Sequence, residues 1–396
     1  MSQNIQELFN QFMDAKPIIT NRNALSISFT PETIPHREKQ IADVARILAP
    51  ALKGERPSNI FIYGRTGTGK SLVASRVAAE LEKASRDSKI KIIYANCKMK
   101  HSADTEYRLI AYLAKELGEE LPFTGLPTDQ VYSAFFNLLD RQKQVMILII
   151  DEIDALVRKT GDEVLYNLTR INQELKNSRV CVVGITNDLN FIDNLDPRVR
   201  SSLSEEELVF PPYNAVQLQD ILKQRADMAF REGAVGDGVL AKCAALAAQE
   251  HGDARRALDL LRVAAELAER NGSDQIRIDH VDAAEDKIDT DRTIETIKAQ
   301  PKQSKVVLYS IIQLAEKNSN LDTGDVVDLY QTNCRRAGLK PLTQRRVSDL
   351  IAELDLFGII TTRVISKGRH GRTRTINLAL SPPVIKKAKD CLEQVF

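Results

Sequence analysis

No apolar run in this 396-residue chain approaches the ~20 residues that a membrane-spanning helix needs. The opening MSQNIQELFN also lacks the basic and apolar regions of a signal peptide, so the expectation is a cytoplasmic protein with no membrane partner. Cysteine is scarce: Cys97, Cys181, Cys243, Cys334 and Cys391 stand far apart, with no CxxC and no His/Cys cluster. That spacing excludes a zinc ribbon and a disulfide framework and leaves the five as reduced packing residues. Internal repeats and low-complexity tracts are absent as well.

What is present is enough for more than one core. The chain is 43% apolar and 28% charged, the balance of a folded soluble protein, and its length suggests two or three domains at ~150 residues each. The net charge of +1 hides an asymmetry. Residues 301–396 hold 16 Lys and Arg against 9 Asp and Glu, and residues 1–300 hold 39 against 45. An anionic polymer would therefore be met by the C-terminal quarter.

Between 59 and 186, apolar runs (NIFIY, KIIYA, VMILII, VCVVGI) alternate with helical patterns. Continuous apolar strands are buried on both faces, which predicts a parallel α/β sheet. Residues 214–298 read as helix alone, and KAQPKQSK at 298–305 reads as a linker.

Gly64-Arg65-Thr66-Gly67-Thr68-Gly69-Lys70-Ser71 fits GxxxxGK[ST] between an apolar strand and a helix, the setting the motif requires. Such glycines let backbone N–H groups face a triphosphate, with the helix N-terminus behind them. Lys70 would reach the β- and γ-phosphates, and Ser71 would ligate Mg²⁺. In VMILIIDEID, Asp151 would join the Mg²⁺ shell and Glu152 would orient or deprotonate the attacking water. Asn187, ending VVGITND, would hold that water from the other side. LDPRVRSSL offers Arg198 and Arg200 to a neighbouring subunit's γ-phosphate, and HGDARRALDLLR offers Arg255 or Arg256 from the helical domain. A small-molecule kinase would instead show an acceptor pocket and an arginine-rich lid beside the sheet.

In the basic quarter, three helical patterns precede two alternating segments around 359–366 and 373–380. Val347, Leu350, Ile351 and Leu354 form one apolar stripe, so Gln344, Arg345, Arg346, Ser348 and Asp349 face outward, as on a recognition helix in a major groove. The two segments predict a hairpin with a basic tip. Arg363, Lys367, Arg369, His370, Arg372 and Arg374 would lie along phosphates or enter a minor groove. Together these make a winged helix, and its few aromatics point to duplex DNA over single strands. A duplex-binding protein of the cytoplasm would be nucleoid-associated.

GRTGTGKS, IIDEID, GITND, LDPRVRSSL, FPPY and GDARRALDLLR in this order, followed by a winged helix, resemble the AAA+ ATPases over almost the whole chain. Within them the chain resembles the archaeal origin-recognition/cell-division-control initiators, relatives of the eukaryotic origin recognition complex. The resemblance implies a P-loop base over 1–208, a helical lid over 209–298 and a winged-helix domain over 299–396. It implies an ATP/ADP and Mg²⁺ site in which Pro35, His36 and Arg37 lie against the adenine. Gly64 to Leu72, Tyr213 of FPPY and Arg255 as the lid arginine line the rest. Eukaryotic relatives keep an arginine where this chain has Ser202, so the residue acting in trans, assigned here to Arg198, stays open between Arg198, Arg200 and neither.

In such initiators the insertion between YANCK and VMILIID carries a helix that touches DNA; here its basic residues are Lys98, Lys100 and Arg108. The implied function is weak, switch-like ATP hydrolysis, duplex origin binding, recruitment of the MCM replicative helicase and association with paralogous initiators. Two other functions fit parts of the pattern. A transcriptional regulator with an ATPase switch would usually carry a sensor or repeat domain, and a clamp loader would need a complete trans-arginine.

Overall fold

The computed structural model describes residues 16–85, 90–98, 103, 105–122, 125–203, 205–316, 321–366 and 372–394, and divides into two compact units, Met1–Val281 and Asp282–Phe396. The expected lid segment is shared between them, because its last helix, Ile278–Ala299, crosses the boundary. The architecture is the expected one: a parallel α/β sheet, a set of lid helices and a winged helix.

In the first unit the chain enters through a short helical turn, Arg22–Leu25, and helix α1 (Glu38–Leu48). Strand β1 (Ile60–Tyr63) and helix α2 (Lys70–Ala84) bracket the glycine loop. There follow β2 (Ile90–Asn96), α3 (Glu106–Glu116), α4 (Thr128–Leu139), β3 (Val145–Asp151), α5 (Ile153–Thr160) and α6 (Glu163–Arg170). Then come β4 (Arg179–Thr186), α7 (Pro197–Leu203) and β5 (Glu206–Val209). The strands pair in parallel in the order β2-β3-β4-β1-β5.

All seven residues of β3 are buried, as a strand covered on both faces requires. Met146, Leu148 and Ile150 pack into one core with Phe135, Leu168 and Phe191, while Val145, Ile147 and Ile149 pack into another with Val73 and Val77 of α2. Strand β5 was not legible in the sequence. Its EELV pattern is polar for a strand, and it forms at the sheet edge against β1, where Phe210 N donates to Tyr63 O at 2.9 Å.

The lid helices are α8 (Ala215–Ala229), α9 (Val239–Gln249) and α10 (Ala254–Arg270). Asn214 and Gln217 close a capping box on α8, and Asp253 caps α10. Residues 18–33 strap across these helices. Ile18 and Ile19 each donate a backbone N–H to Glu269 Oε1 at 3.0 Å. Arg225 donates to the carbonyls of Ala24 (3.1 Å) and Phe29 (3.0 Å). The strap therefore belongs mechanically to the lid.

The second unit holds most of α11 (Ile278–Ala299), then α12 (Lys302–Ala315), β6 (Leu321–Asp322), α13 (Thr323–Arg336), α14 (Gln344–Leu356), β7 (Ile360–Ser366), β8 (Arg372–Leu378) and α15 (Pro382–Glu393). The wing is an antiparallel sheet of order β6-β8-β7. The sequence pattern predicts two strands and no final helix. The two-residue β6 is too short to leave a period, and α15 buries Val384, Ala388 and Leu392 and rests Ile385 against the core. Among the described residues no helix is long and apolar enough to cross a membrane.

Candidate nucleotide site and nucleic-acid interface

The glycine loop is shaped by what presses on it. Gly67 has φ +67°, and a Cβ there would fall 1.7 Å from Asp253 Oδ1, the cap of α10. Ala254 N donates to Gly67 O at 3.2 Å and Thr66 Oγ1 to Asp253 Oδ2 at 3.1 Å, so the lid helix rests directly on the loop. Gly69, at φ +89°, caps α2 and meets the Tyr213 hydroxyl. Only residues without a side chain fit this approach.

Lys70 is 5% exposed and donates to Gly64 O (2.8 Å), Arg65 O (2.7 Å) and Asn187 Oδ1 (2.8 Å). Burial pushes its ammonium down to about 8, with Asp151 pulling upward and Arg255 adding to the depression. Ser71 Oγ donates to Asp151 Oδ2 at 2.6 Å, and Tyr94 donates its hydroxyl to the same oxygen. Glu152 sits at φ +54°, a left-handed conformation that costs a non-glycine residue ~1–3 kcal/mol. Its N–H donates to Asp151 Oδ1 at 2.9 Å, and its carboxylate pairs with Lys98 at 3.4 Å.

These side chains line a cavity of about 730 Å³ with Gly67 to Leu72, Asn187, Tyr213 and Arg255. Its lining also carries an apolar set, Ile27 and Phe29 of the strap, Pro35, Ile221 and Leu258. The residues fit a magnesium nucleotide. A hydroxyl and a carboxylate side by side are hard oxygen donors of the kind Mg²⁺ takes, the buried ammonium matches phosphate, and the apolar set matches a base. Among the described residues no group of three or more His, Cys, Asp and Glu is gathered as a metal site; the pair expected to hold magnesium is one serine and one aspartate.

Not every expected site residue lines the cavity. Of Pro35, His36 and Arg37, only Pro35 lines the cavity. His36, at φ +62°, turns to Asp220 (Nε2 to Oδ2, 2.8 Å). Arg37 is 2% exposed: it donates to the carbonyls of Thr68 (2.8 Å), His36 (3.1 Å) and Pro211 (2.6 Å) and stacks on Tyr213 at 3.8 Å. With its donors spent on carbonyls, it props the loop from behind. Gly64, Arg65 and Thr66 likewise stand behind the lining, where the carbonyls of Gly64 and Arg65 hold Lys70.

Between Arg255 and Arg256, the cavity takes Arg255, while Arg256 pairs with Glu250 at 3.1 Å. Arg198 is clamped on Asp196 at 3.0 Å and Arg200 lies 3.4 Å from Asp193; neither lines this chain's own cavity. Lys98, expected near DNA, is exposed and lies 3.4 Å from Glu152, and Lys100 lies outside the described residues. Tyr94, Arg225 and Glu269 carried no motif, and Asp253 stood inside HGDARRALDLLR with no role read from it. Tyr94 left a trace only as part of the apolar run KIIYA, which the parallel register sets beside β3.

In the second unit the stripe of α14 is buried as expected, at Val347, Leu350, Ile351 and Leu354. Gln344, Arg345 and Arg346 are exposed, and Arg346 lies 3.7 Å from Asp349 and 3.8 Å from Glu353. The turn before α14 is pinned from the core. Tyr330 OH accepts from Leu342 N at 3.1 Å, and Gln303 donates to Lys340 O at 3.1 Å. Asp355 accepts from Thr362 Oγ1 at 2.7 Å, tying the other end of α14 to the wing.

In the hairpin, Arg363 pairs with Thr375 and Val364 with Arg374. Adjacent rungs point to opposite faces, so Arg363 and Arg374 do not share one side of the sheet. Arg372 opens β8; Lys367, Arg369 and His370 lie outside the described residues.

Comparison with known proteins agrees with this layout. Family models match in three stretches: an AAA domain at residues 53–192, a Cdc6 AAA+ ATPase-type lid domain at 219–286 and a CDC6 C-terminal winged helix domain at 295–388. The chain is 52% identical over 383 residues to the ORC1-type DNA replication protein 1 of Archaeoglobus fulgidus, covering 96% of this chain and 93% of that protein. It is 52% identical over 390 residues to the ORC1-type DNA replication protein of Pyrococcus horikoshii, covering 96% and 92%. Among solved structures, the Aeropyrum pernix ORC1 protein in complex with DNA superposes with a TM-score of 0.81 at 44% identity, covering 96% and 99%.

Proposed function

Because the chain belongs to the archaeal ORC1-type DNA replication proteins, we propose that it is an ATP-controlled initiator that grips duplex origin DNA and recruits the MCM replicative helicase, alone or with paralogous initiators. The observation that carries this is the presence in one chain of the Lys70, Ser71, Asp151 and Glu152 cluster and of a helix whose polar N-terminal face, Gln344 to Arg346, stands clear of its own core.

On this reading Lys70 exchanges the oxygens of Gly64, Arg65 and Asn187 for phosphate oxygens, which frees Asn187 to hold a water with Glu152. Ser71 and Asp151 would hold magnesium, which would supply neutralising charge to the phosphates when bound. Glu152 also parts from the exposed Lys98, a pair worth only ~0–1 kcal/mol, and slow hydrolysis acting as a timer is part of this reading. Arg255 reads the phosphates from the lid, and Arg198 acts on a neighbouring copy once it leaves Asp196. Arg345 and Gln344 meet base edges in a major groove. The opposite-facing Arg363 and Arg374 suit a wing that enters a minor groove, where its two faces look at two different backbones.

Footprinting on genomic origin DNA tests this. ATP-loaded protein protects origin repeats and retains added MCM there, and ADP-loaded protein does so less. Protection of promoters in place of origins would overturn the assignment in favour of a transcriptional regulator.

A further inference from the structure

The acidic end of β3 is served by a side chain outside every motif. Tyr94 lies on β2, the outer strand of the sheet, and its register partner is Ile149, two residues before Asp151. Its ring lines the nucleotide cavity and the residue is 37% exposed, so apolar burial does not account for it. Its hydroxyl donates to Asp151 Oδ2, where Ser71 Oγ also donates at 2.6 Å, while Asp151 Oδ1 accepts from Glu152 N at 2.9 Å. From behind, Tyr112 OH donates to Tyr94 O at 3.2 Å.

The consequence lies in the freedom of one torsion. An aspartate carboxylate turns readily about its last bond, and the Glu152 N–H restrains only one of its oxygens. Ser71 restrains the other, but its oxygen is also the atom offered to the cation. A second donor on Oδ2, carried on β2 and not itself assigned to the cation, holds the carboxylate while Ser71 turns a lone pair outward.

We propose that Tyr94 is a positioning residue for the magnesium site, fixing the Asp151 carboxylate so that Oδ2 stays aligned with Ser71. The inference rests on the reading of this cavity as a magnesium nucleotide site. Donors of this kind are worth ~10–100-fold in metal affinity.

The test uses full-length protein. ADP binding is measured by calorimetry in EDTA and across a Mg²⁺ titration, with Mn²⁺ occupancy followed by electron paramagnetic resonance, for wild type, Tyr94→Phe and Tyr112→Phe. Tyr94→Phe is expected to bind ADP in EDTA like wild type and to need ~10–100-fold more Mg²⁺ or Mn²⁺ for half-saturation. Tyr112→Phe, which leaves the Tyr94 hydroxyl in place, is expected to shift neither. An unchanged metal requirement in Tyr94→Phe, or a loss of melting temperature and EDTA affinity with the metal requirement intact, would overturn the proposal. A wild type whose ADP affinity ignores Mg²⁺ would overturn the magnesium reading of the cavity and the proposal with it.

Discussion

Lys70 plugs the phosphate loop with its own ammonium, and this makes nucleotide affinity depend on pH. The free protein loses the proton above about pH 8, whereas neighbouring phosphate charge would hold it. Binding above that pH therefore takes up a proton, and affinity should fall as pH rises, approaching about tenfold per unit. Below it Lys70 is charged in both states and the profile is flat. Calorimetry at several pH values, in buffers of different ionisation enthalpy, reads both effects. Lys70→Ala should abolish the proton uptake and weaken binding ~100-fold or more, the worth of two hydrogen bonds between charged groups. The same depression predicts that unliganded stability rises with pH between about 8 and the ordinary 10.5, since there the unfolded chain binds more protons than the native one. Glu152→Gln should keep nucleotide binding and lower single-turnover hydrolysis by ~10²–10⁴-fold; a near wild-type rate would give the water to another residue.

Among the elements, the strap is the part that sequence patterns hid. Glu269 accepts from two backbone N–H groups and from Arg22 at 3.1 Å, and Arg225 holds the strap's other end. Ile27 and Phe29 line the cavity and are proposed to meet the base, so on that reading loosening the strap should cost base contacts without touching the phosphate loop. Glu269→Ala is expected to lose ~1–3 kcal/mol of stability and to weaken ADP more than inorganic pyrophosphate, read by thermal melts with each ligand. Equal weakening of both would place the strap's effect on the loop. In the wing, each phosphate contact contributes ~0.9 to the slope of log affinity against log salt, so Arg363→Ala with Arg374→Ala should flatten that slope by about two. A loss of about one would mean that only one face of the hairpin meets DNA. The stripe of α14 was legible because its core contacts repeat with helical period. Strand β5 was not, because an edge strand is recruited by its neighbour more than by its own apolarity.

For the whole molecule, the charge distribution and the two sites make one prediction together. If nucleotide state governs DNA affinity, the Kd for origin duplex with a non-hydrolysable ATP analogue should differ from that with ADP by ~5–150-fold. Thermodynamic reciprocity requires DNA to shift nucleotide affinity by the same factor. Fluorescence anisotropy for DNA and calorimetry for nucleotide close this cycle. Equal DNA affinities in both states would leave a nucleotide site and a DNA reader sharing a chain without communicating.

Local chemistry written in short runs was already present in the sequence: GRTGTGKS and IIDEID, the unbroken apolar strands, and the stripe at Val347 to Leu354 each carry their physics within a few residues. Tertiary structure alone decided which side chains converge from afar. It placed Arg37 beneath Thr68 and Tyr213, set Arg255 on the cavity and Arg256 against Glu250, laid Lys98 beside Glu152 and brought Tyr94 to Asp151. The reason is geometric. A phosphate loop or a helical stripe is set by spacing along the chain, but the partner of a buried charge is set by the register of neighbouring strands and the docking of the lid, which no local pattern encodes.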